Sequence, residues 1–163
     1  MSAWPSWLTG VSCIILSASL HAQECNPHIP ATAPDSRFLE QRDGSVVDTY
    51  TQLRWTRCSL GQSWENGACQ GEPQALPYAL TSLLVEPGWR LPTVAELSSL
   101  AELRCWQPAI NTRIFPTAPK AVYWTSTRFV NNDGQFWQVH FLHGEAVPEK
   151  ADGVGFVRWV RER

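Results

Sequence analysis

The sequence has little charge, since only 17% of its 163 residues are Asp, Glu, Lys or Arg and the formal net charge is −2. Without an excess of basic residues, the chain lacks the electrostatic attraction that nucleic acids and anionic membranes require, so we expect no nucleic-acid partner. Internal repeats and low-complexity runs are also lacking. The apolar run over residues 7–20 is too short for a comfortable membrane span, and we predict no transmembrane segment once the N-terminal segment is removed.

Catalytic motifs are lacking as well: there is no G-x-S-x-G, no H-E-x-x-H and no glycine-rich phosphate loop. His140 and His143, three apart on or beside a strand, would face opposite sides, so we interpret them as surface or edge histidines. A carboxylate pair for glycoside hydrolysis would need Glu96 and Glu102 to face one bond. Glu96 is better explained as a helix cap and Glu102 as part of a solvated helix face. We therefore expect no enzyme activity, no cofactor and no bound metal.

The N-terminal segment indicates export. Residues 7–20 are apolar, and Ser17 to Ala22 offers small residues for cleavage, although no Lys or Arg occurs before Arg37. We predict that residues 1–22 are a cleaved secretory signal peptide. An uncleaved anchor and a misassigned start are the alternatives.

Removing residues 1–22 leaves four cysteines, an even number in an exported chain, which favours two disulfides over thiol chemistry. Three connectivities are possible. Cys58 and Cys69 bracket a short turn-rich loop, whose closure contributes about 2–3 kcal/mol in the chain-entropy model. We predict the disulfides Cys58–Cys69 and, by elimination, Cys25–Cys105. Zinc binding is the alternative, but no C-x-x-C or nearby histidine supports it.

The remaining sequence indicates one α+β domain over residues 38–163, preceded by a proline-rich arm over residues 23–37 that lies on the surface. Short strands are predicted at Phe38–Glu40, Ser45–Asp48 and Leu53–Thr56, forming a meander with Trp55 directed inward. A helix over residues 72–84 presents an apolar face that includes Leu76, Leu80, Leu83 and Leu84.

The C-terminal third is predicted to be strand-rich, at residues 122–126, 136–142, 145–147 and 155–161. In the last of these, Val157 and Trp159 lie on one face and Arg158 on the other. We expect this last strand to be free to pair with the first. Together these patterns predict two helices packed on short antiparallel sheets.

A helix start is the sharpest local signal. Pro92 keeps the chain extended before it, Thr93 can cap the helix, and Glu96 can return a bond to the Thr93 amide, as in a capping box. Trp89 and Leu91 precede the cap and can pack on the core, with Arg90 between them. We expect this helix to continue to residue 104 and the whole segment to have a structural role.

Several motifs occur together in a familiar order. They are Val46-Val47-Asp48-x4-Leu53-x-Trp55-x2-Cys58, Trp89-Arg90-Leu91-Pro92-Thr93-x2-Glu96-Leu97, Pro108-Ala109-Ile110-Asn111, Phe115-Pro116, Tyr123-Trp124-Thr125-Ser126-Thr127 and Phe156-Val157-Arg158. In this order they resemble the Lcl C-terminal domain family, a bacterial domain-of-unknown-function family, over residues 37–161. The Arg-Leu-Pro-Thr-x-x-Glu element is also distantly similar to one in formylglycine-generating-enzyme-like domains.

The resemblance implies a secreted, disulfide-bonded domain with a C-type-lectin-like fold, located in the periplasm or at the bacterial cell surface. The family's namesake is an adhesin whose C-terminal domain binds sulfated glycosaminoglycans, which implies recognition of an acidic or sulfated glycan. The collagen-like Gly-x-y stalk is lacking here, so multivalent adhesion does not carry over. Formylglycine-generating enzymes use a cysteine pair, whereas the four cysteines here are assigned to disulfides.

The loop between the predicted strands at 122–126 and 136–142 is the candidate binding site, since binding residues concentrate on loops between rigid strands. Its polar residues are Arg128, Asn131, Asn132, Asp133 and Gln135. The loop's oxygen atoms could ligate calcium, with a simple polar turn as the alternative.

Trp64 or Trp106 could stack on a sugar if exposed. We therefore expect a non-enzymatic binding module for a surface glycan or protein. A structural domain that docks onto an envelope or pilus assembly is the alternative, and a degenerate enzyme relative is a third.

Overall fold

The computed structural model describes residues 23–163, so the predicted signal peptide over residues 1–22 lies outside the described residues. The described chain is α+β, with small antiparallel sheets and two short helices. Its four-stranded sheet contains β2 (Phe38–Glu40), β3 (Ser45–Asp48), β4 (Leu53–Thr56) and β13 (Val160–Glu162). The first three strands have the predicted bounds, and Trp55 is fully buried as predicted.

The pairing expected of the last strand is wrong. The sheet has the order β13-β4-β3-β2, so β13 pairs with the third strand of the meander rather than the first. Arg90 and Val160 exchange backbone hydrogen bonds of 2.9 and 3.0 Å. These bonds hold β13 between the Arg90 segment and β4.

A three-stranded sheet with the order β11-β10-β9 forms the other large element. Its strands are β9 (Val122–Arg128), β10 (Gln135–His140) and β11 (Glu145–Lys150). Three strand pairs complete the sheets: β1 (Glu24–Cys25) with β8 (Cys105–Trp106), β5 (Ser63–Glu65) with β6 (Ala68–Gln70), and β7 (Leu76–Pro77) with β12 (Val154–Gly155). Both predicted disulfides are formed, Cys25–Cys105 joining β1 to β8 and Cys58–Cys69 closing the β5–β6 hairpin.

The first helix, α1, covers only Tyr78–Leu84, and the prediction of its buried face is wrong. Pro77 keeps residue 76 extended, so Leu76 and Pro77 form β7 before the helix begins. The shifted start turns Leu80, Leu83 and Leu84 to solvent, with exposures of 45%, 75% and 46%, while Thr81 is buried. Within residues 23–163, no helix is long and apolar enough to span a membrane.

The second helix, α2, covers Val94–Ser98 and begins with the predicted capping box. The Glu96 amide donates to Thr93 Oγ1 at 3.3 Å, and the Thr93 amide donates to the Glu96 carboxylate at 2.7 Å. The helix ends well before residue 104, so the assignment of Glu102 to a solvated helix face is wrong. Glu102 is buried, because its carboxylate accepts 3.0 Å hydrogen bonds from the Thr32 and Ala33 amides of the arm.

Two apolar clusters form the core. The larger one, around Trp55, Phe115 and Tyr123, joins residues of α2 and of both large sheets, and the smaller one is built around Trp124 and Trp159. Arg158 lies on the opposite side of the chain from Val157 and Trp159, as predicted, yet it is fully buried. Its guanidinium donates to the Thr56 carbonyl at 2.7 Å and lies 4.6 Å from the centre of the Phe115 ring. Main-chain carbonyls and aromatic rings therefore accommodate a buried cation.

Candidate functional site

The predicted binding loop connects β9 to β10 and is largely exposed. Arg128 ends β9, Gln135 begins β10, and these two residues with Asn132 and Asp133 line a hollow of about 190 Å³. Asn131 is exposed in the same loop. The Arg128 guanidinium lies 5.4 Å from the centre of the Phe136 ring. The structure thus brings four of the five predicted residues together around a small cavity.

The loop presents one carboxylate, that of Asp133. Across residues 23–163, no three His, Cys, Asp or Glu side chains are grouped so that they could hold a metal ion. His140 is occupied locally, since its Nδ1 accepts a 3.1 Å hydrogen bond from the Leu142 amide.

A larger cleft, of about 410 Å³, lies beside the β3–β4 end of the four-stranded sheet, and we call it the tryptophan cleft. Three tryptophans line it: Trp64, Trp89 and Trp159. Two carboxylate residues, Asp43 and Glu86, line it as well. Its volume lies within the roughly 300–1,000 Å³ typical of small-ligand sites, and apolar walls with a few polar groups are typical of such sites.

The Trp64 side chain packs directly against the backbone of Gly44. It lies in β5, opposite Cys69 of β6, in the hairpin that the Cys58–Cys69 disulfide closes. A Cβ atom on Gly44 would lie 2.3 Å from Trp64 Cβ and Cγ, and Gly44 has a φ of +77°. Only glycine satisfies both the left-handed backbone and this close approach. The turn before β3 therefore forms the support on which the Trp64 side chain lies.

A cation also lies against the Trp64 ring. The Arg57 guanidinium is 4.1 Å from the ring centre and is itself fixed by hydrogen bonds. It donates to the Ile114 carbonyl at 2.8 Å and to the Glu40 carboxylate at 2.7 Å. Trp64 is half-buried, and the surface that it keeps lines the cleft. The ring is therefore positioned before any ligand arrives.

The predicted structural segment contributes Trp89 to the wall of the cleft. The Arg161 guanidinium lies 4.5 Å from the centre of the Trp89 ring, and Trp89 also packs on the smaller core cluster. Next to it, both terminal nitrogens of Arg90 donate to the Glu96 carboxylate at 2.8 Å, and one also donates to Glu162. The hydrogen bonds from Arg90 hold the pKa of Glu96 below its usual value. The capping box and this ion pair together fix the wall that carries Trp89.

The two carboxylates of the cleft differ in their hydrogen bonding. Burial alone would raise the pKa of Asp43, but hydrogen bonds from Ser45 and Arg54 outweigh burial and lower it. Glu86 is exposed, and its carboxylate makes no hydrogen bond or ion pair with the described part of the chain. Glu86 is thus the carboxylate that remains available to a ligand.

A third and larger cavity, of about 650 Å³, lies at the other end of β3, and we call it the Tyr50 groove. Tyr50 is 81% exposed beside the Arg37 guanidinium, which lies 5.2 Å from the ring centre. Arg37 is committed to the fold, since it donates to Asp48, to the Thr32 carbonyl and to the Ser99 carbonyl. The groove therefore offers one exposed ring without an available charge.

From the sequence, Trp64 and Trp106 are residues that could stack on a sugar if exposed, and the cleft around Trp64 was not predicted. The cleft joins residues from the 43–45 turn, the 56–64 segment, the 86–89 turn and Trp159. These segments are distant in sequence, and only the pairing of β13 with β4 places Trp159 beside the others. Trp106, the other tryptophan considered, lies in β8 beside the Cys25–Cys105 disulfide.

The family model of the Lcl C-terminal domain matches residues 44–161, which is more than half of the chain. The chain belongs to the Lcl C-terminal domain family. Within this Lcl C-terminal domain lie the predicted loop and all of the cleft-lining residues except Asp43. Searches of the curated proteins and of the solved structures gave no match.

Proposed function

We propose that this chain is a non-enzymatic binding module of C-type-lectin-like fold that recognises a glycan in the tryptophan cleft. The observation that carries the proposal is the fixed position of Trp64 over Gly44 and Arg57. A sugar ring has an apolar C–H face that can pack on an aromatic ring, and its hydroxyls need polar partners at the edge. The cleft offers both, and a ring that is already ordered loses little conformational entropy on binding.

The charges of the cleft support a neutral ligand over an acidic one. Glu86 and Asp43 line it, and the nearby cations of Arg57 and Arg54 are paired with Glu40 and Asp43. Arg161 packs against the Trp89 ring and is not among the residues that line the cleft. An acidic or sulfated glycan would place like charge beside Glu86 at a free-energy cost. We therefore revise the expected ligand from an acidic glycan to an uncharged one.

The same residues support the absence of glycosidase activity. Hydrolysis of a glycosidic bond by two carboxyl groups requires both to face the bond. Asp43 is engaged by Ser45 and Arg54, which leaves Glu86 as the single available carboxylate of the cleft. We propose that a bound glycan is held there unchanged.

The two disulfides support a location outside the cytoplasm, because such bonds persist in oxidising compartments. We propose a secreted, periplasmic or cell-surface protein that acts in adhesion.

A glycan array probed with the full chain, exported through its own N-terminal segment, tests the proposal. We expect saturable binding to a neutral glycan that Trp64→Ala abolishes and Arg128→Ala leaves unchanged. Repeating the array with calcium and with a chelator tests the calcium site that the sequence predicts at the loop. Loss of binding in Arg128→Ala or in chelator, with Trp64→Ala still active, would place the site at the loop instead.

Protein docking is the second candidate function, and the exposed apolar side chains of α1 favour it. Leu80, Leu83 and Leu84 are exposed on a helix that carries no charged residue. Clustered exposed apolar side chains mark interaction surfaces. Under this proposal, a Leu83→Ser/Leu84→Ser variant loses a stoichiometric envelope partner and keeps glycan binding, while Trp64→Ala does the reverse.

A further inference from the structure

A second cavity opens directly beside the tryptophan cleft. It has a volume of about 220 Å³, and we call it the side groove. Trp89 and Trp159 line both cavities, so the two share a wall. The other wall of the side groove is α1, through Thr81 and Ser82, followed by Val85.

The side groove is largely apolar, and the polar side chains of Thr81, Ser82 and Arg90 that line it are bonded within the protein. Thr81 Oγ1 donates to the Tyr78 carbonyl at 2.8 Å, and Ser82 Oγ donates to the Ala79 carbonyl at 3.4 Å. The Arg90 guanidinium is bonded to Glu96 and Glu162. What remains for a ligand is the surface of Val85, Leu91 and the aromatic rings. The Tyr78 hydroxyl also lines the groove and makes no hydrogen bond within residues 23–163, so the groove is largely rather than wholly apolar.

Two consecutive residues, one apolar and one charged, line the two cavities. Val85 lines the side groove, and Glu86 lines the tryptophan cleft with a carboxylate that is free of protein partners among residues 23–163. The Trp89 amide donates to the Glu86 carbonyl at 3.0 Å, which closes the turn that holds both residues in place. A hydrogen-bond acceptor is thus adjacent to an apolar recess.

Resting on the proposed glycan binding, we propose that the ligand of the cleft is an N-acylated amino sugar. Its ring packs on Trp64, its amide N–H donates to the Glu86 carboxylate, and its acyl methyl enters the side groove. The sugar substituent that reaches both Glu86 and the side groove must be short and neutral, with a hydrogen-bond donor next to the sugar ring and an apolar group at its far end. An acylamino group meets all four requirements. A plain hexose would leave the side groove unfilled. A free amino sugar would satisfy Glu86 but would present no apolar group to the recess.

The test compares three β-1,4-linked oligosaccharides that differ only at C2: N-acetylglucosamine, glucosamine and glucose oligomers of equal length. Isothermal titration of the full chain should give binding of the N-acetylated oligomer about four- to tenfold tighter than the glucose oligomer, as expected for burial of a methyl-sized group. The glucosamine oligomer should bind more weakly than the N-acetylated one and lose affinity as salt is added.

Variants of α1 show whether the preference for the N-acetylated oligomer comes from filling the side groove or from an unspecific effect of changing α1. Ser82→Trp would block the side groove, and we expect it to remove the preference for the N-acetylated oligomer while glucose-oligomer binding persists. The matched control is Ala79→Trp, which adds the same side chain at an exposed α1 position outside the groove, and should keep the preference.

Equal affinity for all three oligomers, or tightest binding of the glucosamine oligomer, would overturn this inference and leave glycan binding intact. Binding of none of the three oligomers, when the array identifies another glycan, would also overturn the inference and leave glycan binding intact. Failure of every glycan on the array would instead overturn the proposed function itself.

Discussion

The Arg57 guanidinium lies 4.1 Å from the centre of the Trp64 ring, and it is buried while the ring is half-exposed. The cation belongs to the fold, because main-chain carbonyls and Glu40 hold it. The ring belongs to the surface, because it lines the cleft. This pair connects the stability of the domain to the geometry of the proposed binding site, and it makes the site sensitive to residues that no ligand would touch.

Gly44→Ala should displace Trp64 and reduce both stability and binding. The added Cβ atom would lie 2.3 Å from Trp64 Cβ, and alanine is strained at a φ of +77°. Gly67→Ala is the matched control. Gly67 has a similar left-handed backbone, with a φ of +81°, but nothing lies within 4 Å of the added atom. We expect the control to lose about 1 kcal/mol from backbone strain alone and Gly44→Ala to lose clearly more. Chemical denaturation measures both, and equal losses would contradict the proposed support of Trp64.

Each disulfide, removed separately, should have a different main effect: one removal mainly lowers stability and the other mainly lowers glycan affinity. In the chain-entropy model, Cys25–Cys105, with a sequence separation of 80, contributes about 4–5 kcal/mol, and Cys58–Cys69, with a separation of 11, contributes about 2–3 kcal/mol. Only Cys58–Cys69 closes the hairpin that carries Trp64. We therefore expect Cys58→Ser/Cys69→Ser to lower glycan affinity more, and Cys25→Ser/Cys105→Ser to lower the free energy of unfolding more. Finding that the variant with the larger loss of stability also has the larger loss of affinity would refute this assignment.

Glu96 should make the stability of the domain depend on pH. Hydrogen bonds from Arg90 lower its pKa in the folded state, so its contribution is complete above the unfolded pKa of about 4.5. The contribution is lost as pH falls through the lower, folded pKa. Glu96→Gln should cost about 1 kcal/mol at pH 7, a typical value for a helix cap, and the difference from wild type should shrink in acid. A difference that stays constant from pH 7 to pH 3 would exclude the ion pair as its cause.

Glu102 should control the attachment of the N-terminal arm. Its carboxylate accepts from the Thr32 and Ala33 amides, and Ala33 is fully buried. Glu102→Gln replaces one accepting oxygen by a donor facing an amide, and we expect a loss of about 1–3 kcal/mol. Amide hydrogen exchange at Thr32 and Ala33 should accelerate more than at Trp55 in the core. Uniform acceleration at all three positions would indicate global destabilisation instead.

Local patterns in the sequence were sufficient for much of the fold. The strands from Phe38 to Thr56 follow from alternation and turn residues, and the Thr93 cap follows from a three-residue spacing. The helix extents did not follow, because periodicity alone cannot show that Pro77 ends a strand before α1 begins. The burial of Glu102 depends on the arm that docks on it, a contact between residues about 70 apart.

The site was less predictable than the fold. Trp64 could be named from its type as one of two candidates for stacking, but its support by Gly44 depends on how the β5–β6 hairpin folds over the turn before β3. Glu86 has no distinguishing motif, and its proposed role follows from its place in the cleft next to Val85 of the side groove. Tertiary pairing, which a single sequence does not encode in any local pattern, creates both features.

The most direct test of glycan recognition at the tryptophan cleft is a titration of the tightest array glycan against wild type, Trp64→Ala and Tyr50→Ala. Tyr50 is the matched control, because it too is an aromatic residue beside an arginine, at the opposite end of β3. We expect at least a tenfold loss of affinity in Trp64→Ala, as removal of about 1.4 kcal/mol of stacking requires, and wild-type affinity in Tyr50→Ala. Wild-type affinity in a folded Trp64→Ala variant would contradict it.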